Sequence, residues 1–321
     1  METATIIGID VSKKSLTVFC WGQAGPVREI LNTPAAIADW LETLPADAMI
    51  GLESTGSYHK LAAGLAHSSG RTVFVLQPRD ICNYRRSVSP RGKTDSIDAQ
   101  VIARFVAMEH ASLRPWKPAT KEQELLDAYL KGRAFFSRSR ASAGLMAESL
   151  PCLAAMVEVI EKAYSEAIGK IDQEIDATIK CVPEMAEKRK RLKSIQGVGK
   201  VTSAGLANLF SRFDFKTSDA LVGYLGLDPR PMESGKYRGL RRLSKRGPAE
   251  MRRLLYMAAM AGIRKPAWKP LYEAARAKGL PRIAALCVVA RKILRVALAV
   301  WKKAGAVFEP AKILKEMPAM T

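Results

Sequence analysis

Histidine and cysteine are scarce in this sequence of 321 residues. It contains three histidines and five cysteines, and none of the cysteines forms a Cys-x-x-Cys pair. The spacing therefore indicates neither a structural zinc site nor a disulfide framework. Scattered, unpaired cysteines are typical of proteins from a reducing cytosol.

The sequence also lacks a long uninterrupted hydrophobic run. Its first residues do not follow the basic and then apolar order of a secretory signal. The most apolar late stretch, residues 283–301, is interrupted by Arg291, Lys292 and Arg295, so that crossing a bilayer would be costly. We therefore expect a cytoplasmic protein that does not enter a membrane.

Acidic residues are outnumbered by basic ones. The 31 Asp and Glu face 51 Lys and Arg, which gives a formal net charge of +20 at pH 7. Such a surface attracts polyanions and raises their encounter rate, so nucleic acid is the expected partner. A basic protein that is merely soluble, or one bound to an anionic membrane surface, is the alternative interpretation.

Strand and helix signals alternate over the first third of the chain. Apolar runs predict strands over residues 5–9, 16–21, 48–52 and 72–76, and helices at about 33–44, 58–68 and 94–109. The expected buried stripe of the last helix is Ile97, Val101, Phe105 and Met108. This alternation predicts mixed α/β layers. A polar hairpin followed by a strand-borne Glu and a D-x-x-D helix is the layout of a ribonuclease-H-like domain of the RuvC type.

Helix dominates the rest of the chain. The sequence predicts two long polar helices broken near Pro151, paired as an antiparallel hairpin or as a coiled coil between subunits. A dimer or higher homo-oligomer is therefore expected. A stretch containing two prolines, residues 114–118, closes the first domain. The predicted architecture is α/β followed by α, with domains at 1–118, 119–190 and 191–321, the last being mostly helical.

Four acidic residues are candidate metal ligands, namely Asp10, Glu53, Asp95 and Asp98. The first two end predicted strands, and the last two lie three residues apart on one helix face. Gathered at one edge of a sheet they would repel each other unless Mg²⁺ or Mn²⁺ neutralised them, and a pair of such ions can stabilise both oxygens in phosphoryl transfer. Taken singly, each acid could instead cap a turn or helix, or lie on the surface.

Two segments of the last domain are suited to phosphate. Gly197, Gly199 and Lys200 resemble the turn of a helix-hairpin-helix, where backbone N–H groups approach a phosphate closely. The segment from Ser234 to Gly247 is basic and contains no acid. Its expected nucleic-acid contacts are Lys236, Tyr237, Arg238, Arg241, Arg242, Lys245 and Arg246.

The same basic segment carries two hydroxyl groups, Ser234 and Ser244. A serine among arginines beside a scissile phosphate can act as a nucleophile if a base or metal takes its proton. From chemistry alone, either serine is more often a hydrogen-bonding loop residue.

The combined motifs resemble those of one known family. They are GIDVSKKSL, LESTGSY, KTDSIDAQVIA, IQGVGKVTSAGL, YLGLDPRPMESGKYRG and LSKRGPAEMRRLLYMAA. In this order, over nearly the whole chain, they resemble the DEDD transposases of the IS110 and IS1111 insertion-sequence group. The resemblance implies a RuvC-like domain, a coiled-coil segment and a C-terminal transposase domain with an essential serine. It also implies guidance by a structured non-coding bridge RNA that pairs with donor and target DNA.

Carried over residue by residue, the resemblance makes Asp10, Glu53, Asp95 and Asp98 the catalytic metal ligands. It makes Ser234 the nucleophile, with Ser244 second. We expect the acids and the serine to meet through docking of domains or subunits, with a dimer assembling to a tetramer. The alternative functions are a magnesium-dependent DNA junction nuclease that uses water, and a non-catalytic scaffold that binds RNA and DNA.

Overall fold

The computed structural model of the protein describes residues 5–22, 27–54, 56–88, 94–230, 233–234, 237–239 and 242–311. The chain divides into two compact units, Met1–Pro118 and Ala119–Thr321. The division of the second unit into segments 119–190 and 191–321 stays a prediction.

A mixed five-stranded sheet forms the centre of the first unit. Its strands are β1 (Ile6–Val11), β2 (Ser15–Cys20), β3 (Arg28–Leu31), β4 (Met49–Glu53) and β5 (Thr72–Leu76). They lie in the order β3-β2-β1-β4-β5. Strand β1 is parallel to β4, and β4 to β5, whereas β2 is antiparallel to both of its neighbours. The mixed sheet confirms the α/β class expected for this part of the chain.

Helices cover both faces of this sheet, as its parallel strands require. They are α1 (Pro34–Glu42), α2 (His59–Ser68), α3 (Pro78–Val88) and α4 (Asp95–Glu109). Helices α1 and α2 pack with Ile7, Ile9 and Ile50 on one face. Helices α3 and α4 pack with Phe74 and Leu76 on the other face.

Parts of the first unit differ from the sequence prediction. Strand β3 and helix α3 were not predicted, and β1 extends to Val11, beyond the apolar run of residues 5–9. Helix α4 was predicted, but its stripe was partly wrong, because Met108 is 59% exposed. The fully covered side of α4 consists of Ala99, Val101, Ile102, Ala103 and Val106.

The second unit is mainly helical, as predicted. Its helices are α5 (Lys121–Ser149), α6 (Ala154–Lys180), α7 (Pro183–Lys193), α8 (Lys200–Arg212), α9 (Ser218–Tyr224), α10 (Ala249–Gly262), α11 (Lys269–Ala277) and α12 (Arg282–Lys302). The first two form an antiparallel pair, in which Arg133 Nε donates to Asp172 Oδ1 at 2.5 Å. A 3₁₀ turn, Pro151–Leu153, separates them at the predicted break. Helix α12 contributes ten buried residues to the core, and none of the helices that the structure describes could cross a membrane.

Two short ribbons form in the basic segment and in the residues just before it. Their strands are β6 (Pro229–Arg230), β7 (Glu233–Ser234), β8 (Tyr237–Arg238) and β9 (Arg242–Leu243). Strand β6 pairs with β9, and β7 pairs with β8, both antiparallel. The β7–β8 ribbon is therefore inserted between the strands of the β6–β9 ribbon, whose far ends lead back to α9 and α10.

Candidate active site and nucleic-acid interface

Asp10 and Glu53 lie side by side on neighbouring strands. Strand β1 pairs with β4 in parallel register, with Ile9 opposite Leu52. Asp10 and Glu53 are each one residue further along, at the carboxyl ends of these strands. Both residues are partly buried, and this edge position is the one predicted for them.

Two glycines show which face of the sheet the acids occupy. Gly8 pairs with Gly51 in the β1–β4 register. A Cβ atom on Gly8 would lie 2.2 Å from the backbone oxygen of Ala99, and one on Gly51 would lie 2.5 Å from a methyl carbon of Val106. Both glycines therefore face α4, which approaches the sheet more closely than a larger residue would allow. Because residues two apart on a strand point to the same side, Asp10 and Glu53 also face α4.

Asp95 and Asp98 lie in the first turn of α4. The helix begins after Thr94, whose hydroxyl accepts from the backbone N–H of Ile97 at 3.2 Å. Thr94 rather than an aspartate is thus the N-cap, and the capping interpretation of the acids does not describe this helix start. Asp95 is exposed and Asp98 is partly buried.

Arg85 of α3 forms an ion pair with Asp98. Its Nη1 donates to Asp98 Oδ1 at 2.9 Å, with 22% of the arginine side chain and 14% of the aspartate side chain exposed. The hydrogen bond and the charge of Asp98 raise the pKa of Arg85 above its ordinary value, and the charge of Glu53 adds to the effect. Sequence reasoning did not single out Arg85.

The donor set fits a hard divalent cation in chemistry but not in its present spacing. Asp10, Glu53, Asp95 and Asp98 offer only carboxylate oxygens, the ligands that Mg²⁺ prefers. Within the described ranges, however, no three His, Cys, Asp or Glu side chains are placed to hold one metal ion. One oxygen of Asp98 is engaged by a guanidinium instead.

Ser234 lies on β7, in the second unit. It pairs in register with Tyr237 of β8, and it is exposed. Gly235 and Lys236, the two residues between them, lie outside the described residues, as do the side chains of Tyr237 and Arg238. The expected nucleophile thus belongs to the outer ribbon of the basic segment.

Ser244, the second serine, is in a different environment. It is 5% exposed, and its hydroxyl donates to Asp228 Oδ1. Its backbone N–H also donates to the Asp228 carbonyl at 2.9 Å. Sequence reasoning did not single out Asp228, whose pairing joins the two ends of the ribbon segment.

The two ends of the ribbon segment are held together by a close backbone contact and by one side chain of α10. Gly226 has a φ of +65°, and a Cβ atom there would lie 2.3 Å from the backbone N and O atoms of Arg246. Arg252 of α10 donates from Nη1 to the carbonyls of Leu225, Arg246 and Gly247 at 3.1, 2.6 and 3.0 Å. These contacts hold the ends of the segment that carries Ser234.

The expected phosphate contacts of this segment are partly described. Arg242, Lys245 and Arg246 are exposed, whereas Lys236 and Arg241 lie outside the described residues. Lys245 has a φ of 53°, which a residue with a Cβ atom adopts at a cost. The turn at the base of the ribbons therefore holds the backbone of a basic residue in an uncommon conformation.

The predicted turn before α8 forms as expected from its glycines. Gly197 has a φ of +90°, and a Cβ atom there would lie 2.3 Å from the backbone oxygen of Ala258. Lys200 is the exposed first residue of α8. Partial burial and the positive charges of Arg189 and Lys200 lower the pKa of Lys193, at the end of α7. Lys193, which sequence reasoning missed, thus adds to the positive charge at this turn, whereas the charge of Arg189 is paired with Asp176 at 2.6 Å.

Comparisons with known proteins match both units. Residues 7–144 match a family described as a transposase, DEDD_Tnp_IS110. Residues 189–273 match the family described as Transposase IS116/IS110/IS902.

Similar individual proteins come from several bacteria. The chain is 29% identical over 254 residues to the pilin gene-inverting protein of Moraxella bovis, covering 78% of each chain. It is 27% identical over 303 residues to the transposase for insertion sequence element IS1111A of Coxiella burnetii, covering 82% of this chain and 79% of that protein. It is 26% identical over 296 residues to the transposase for insertion sequence element IS1328 of Yersinia enterocolitica, covering 81% of this chain and 84% of that protein.

Proposed function

The chain belongs to the DEDD transposases of the IS110 family and is a DNA transposase, and we propose that it cuts and rejoins DNA through Ser234 and a carboxylate-bound metal. The observation that supports this most is the order of the two family matches. The first includes Asp10, Glu53, Asp95 and Asp98, and the second includes Ser234.

The first unit is assigned a ribonuclease-H-like fold of the RuvC type within this proposal. The strand order β3-β2-β1-β4-β5, with only β2 antiparallel to its neighbours, supports it. So does the placement of Asp10 and Glu53 at adjacent strand ends on the face that α4 covers.

The proposed chemistry is a transfer of the phosphoryl group to serine. The Ser234 oxygen attacks the phosphorus, an oxygen–phosphorus bond to the serine forms, and the bond to one deoxyribose oxygen breaks. The serine proton leaves with a base, and the departing deoxyribose oxygen is protonated. Held by Asp10, Glu53, Asp95 and Asp98, Mg²⁺ or Mn²⁺ would supply charge stabilisation to the attacking and leaving oxygens. The exposed position of Ser234 among basic residues supports its access to a phosphate.

The proposed partners are donor and target DNA, a structured non-coding bridge RNA and further copies of the chain. The RNA and the oligomer rest on the family resemblance, with a dimer assembling to a tetramer. The name of the Moraxella bovis relative, a pilin gene-inverting protein, supports recombination in which cut strands are rejoined. Exposed Arg242, Lys245, Arg246 and Lys200 are the described residues proposed to contact phosphate.

The serine step is tested by strand transfer with purified protein, guide RNA and labelled DNA. Ser234→Ala is expected to abolish both transfer and the protein–DNA adduct seen on a denaturing gel. Ser234→Cys is the matched control, because a thiol retains a nucleophilic atom at the same place. Normal recombination by the alanine variant would remove the covalent scheme.

The same gel distinguishes the alternative functions. A junction nuclease that uses water cuts DNA without leaving any linked to protein. A non-catalytic scaffold neither cuts nor links DNA, and in that case Asp10→Asn would lower the melting temperature without any activity to lose.

A further inference from the structure

Arg85 places a positive charge among the acids of the first unit. It lies on α3, which covers the same face of the sheet as α4. Its Nη1 atom is 2.9 Å from Asp98 Oδ1. Both side chains are largely shielded from solvent, with 22% and 14% of them exposed, so the attraction between their charges is screened less than on an open surface.

The ion pair lies on the face of the sheet that carries two more of the acids. Glu53 lies beside Asp10 in the β1–β4 register, and both face α4, the helix that begins with Asp95 and carries Asp98. Arg85 therefore neutralises one of the acids on the face where a divalent cation would be held.

A guanidinium and a metal ion compete for a carboxylate in two ways. The Asp98 oxygen that accepts from Arg85 has a lone pair directed at the arginine, so a metal must share or displace that contact. In addition, the fixed positive charge repels an incoming cation. Both effects weaken metal binding, and neither depends on the exact metal geometry.

We propose that Arg85 is a built-in counter-cation that competes with the divalent metal for Asp98, so that metal binding requires Arg85 to release this carboxylate. The proposal rests on the proposed function, because it takes Asp98 as a metal ligand. Release of Arg85 then becomes a step that precedes DNA cleavage, and its guanidinium is freed on the face where the metal binds.

The test is Mn²⁺ binding to the full-length protein, measured by electron paramagnetic resonance of free Mn²⁺ and by calorimetry. Arg85→Met, which keeps the aliphatic stem but removes the charge, is expected to lower the Kd for Mn²⁺ about tenfold. The matched control is Arg86→Met on the same helix, because Arg86 is exposed and loses the same formal charge. It is expected to change the Kd less than twofold.

A second background shows whether the effect acts through Asp98. In Asp98→Asn protein, Arg85→Met is expected to lower the Kd clearly less than tenfold, because the direct competition for the carboxylate is gone and only the charge repulsion is relieved. Melting curves in EDTA and in Mn²⁺ check that each variant is folded. Mn²⁺ is expected to raise the melting temperature of Arg85→Met more than that of the unmodified protein. An unchanged or raised Kd in folded Arg85→Met protein would overturn the proposal.

The outcomes separate this inference from the proposed function. If Asp98→Asn binds Mn²⁺ as well as the unmodified protein does, Asp98 is not a ligand and the metal part of the proposed function fails. If Asp98→Asn weakens binding but Arg85→Met matches Arg86→Met, the metal site stands and only the competition is wrong.

Discussion

Burial distinguishes the two serines of the basic segment. Ser234 is exposed on β7, whereas Ser244 is 5% exposed and donates to Asp228. The family resemblance ranked Ser234 first, but local chemistry could not separate the two, because both stand among basic residues and Asp228 lies 16 positions before Ser244. A hydroxyl that is buried and hydrogen-bonded to a carboxylate stabilises the fold, and removing it takes one donor from a partly buried acceptor.

We predict that substitution of Ser244 lowers stability, whereas substitution of Ser234 abolishes the chemical step. Ser244→Ala is expected to lower the free energy of unfolding by about 1–3 kcal/mol, while the folded fraction still forms the DNA adduct. Ser234→Ala is expected to melt like the unmodified protein and to form no adduct. Thermal denaturation measures the stability of each variant, and the denaturing gel measures its adduct formation. Loss of the adduct in folded Ser244→Ala protein, with adduct formation by Ser234→Ala, would reverse the assignment.

Helix α4 and the glycines beneath it form the element that positions the acids. Its Ala99 and Ala103 meet the backbone at Gly8, while Ile102 and Val106 meet Gly51. The contact at Gly8 is between main-chain atoms and cannot relax, whereas the contact at Gly51 involves side-chain methyl groups that can move.

We predict unequal effects of alanine at these two glycines. Gly8→Ala is expected to destabilise the first unit by about 3 kcal/mol or more, because overpacking against backbone forces α4 away. Gly51→Ala is expected to cost about 1–2 kcal/mol, and Val106→Ala in the same chain should restore part of it by making room. Gly64→Ala is the control, since nothing lies within 4 Å of a Cβ atom there. Chemical denaturation measures each variant, and equal losses at Gly8 and Gly51 would contradict the packing argument.

The strands that sequence patterns found are short apolar runs. Strands β1, β4 and β5 are such runs, and their short length and β-branched residues favour strand over helix. Strand β3 has three exposed residues out of four, and α3 contains three arginines and a single fully buried residue, Ile81. Strand β3 lacks an apolar run, and α3 is amphipathic but mostly polar, so neither was predicted and Arg85 of α3 was not singled out.

At the scale of the whole molecule, the charge is divided unequally between the two units. Residues 1–118 contain 13 Lys and Arg against 11 Asp and Glu, whereas residues 119–321 contain 38 against 20. Almost all of the net charge of +20 therefore belongs to the second unit. The first unit as a whole is thus nearly neutral, and electrostatic attraction of nucleic acid is expected to come mainly from the second.

We predict that residues 119–321, produced alone, bind double-stranded DNA with nearly the salt dependence of the full chain. The slope of log K against log salt reports the number of phosphates neutralised, and residues 1–118 alone should give a much smaller slope. Fluorescence anisotropy over a KCl series measures this, with circular dichroism melts to check that each fragment is folded. A steep slope for residues 1–118 would show that net charge is a poor guide to this interface.

The paired glycines also have a consequence for recognising remote relatives. Gly8 and Asp10, like Gly51 and Glu53, are two residues apart on adjacent parallel strands in matching register. Helix α4 meets Gly8 with its own main chain, so it tolerates little drift there, whereas the side chains that meet Gly51 can be exchanged for smaller ones. A search profile that requires the glycine two places before the first acid, and only a small residue two places before the second, would therefore retain divergent homologues that overall identity no longer reveals.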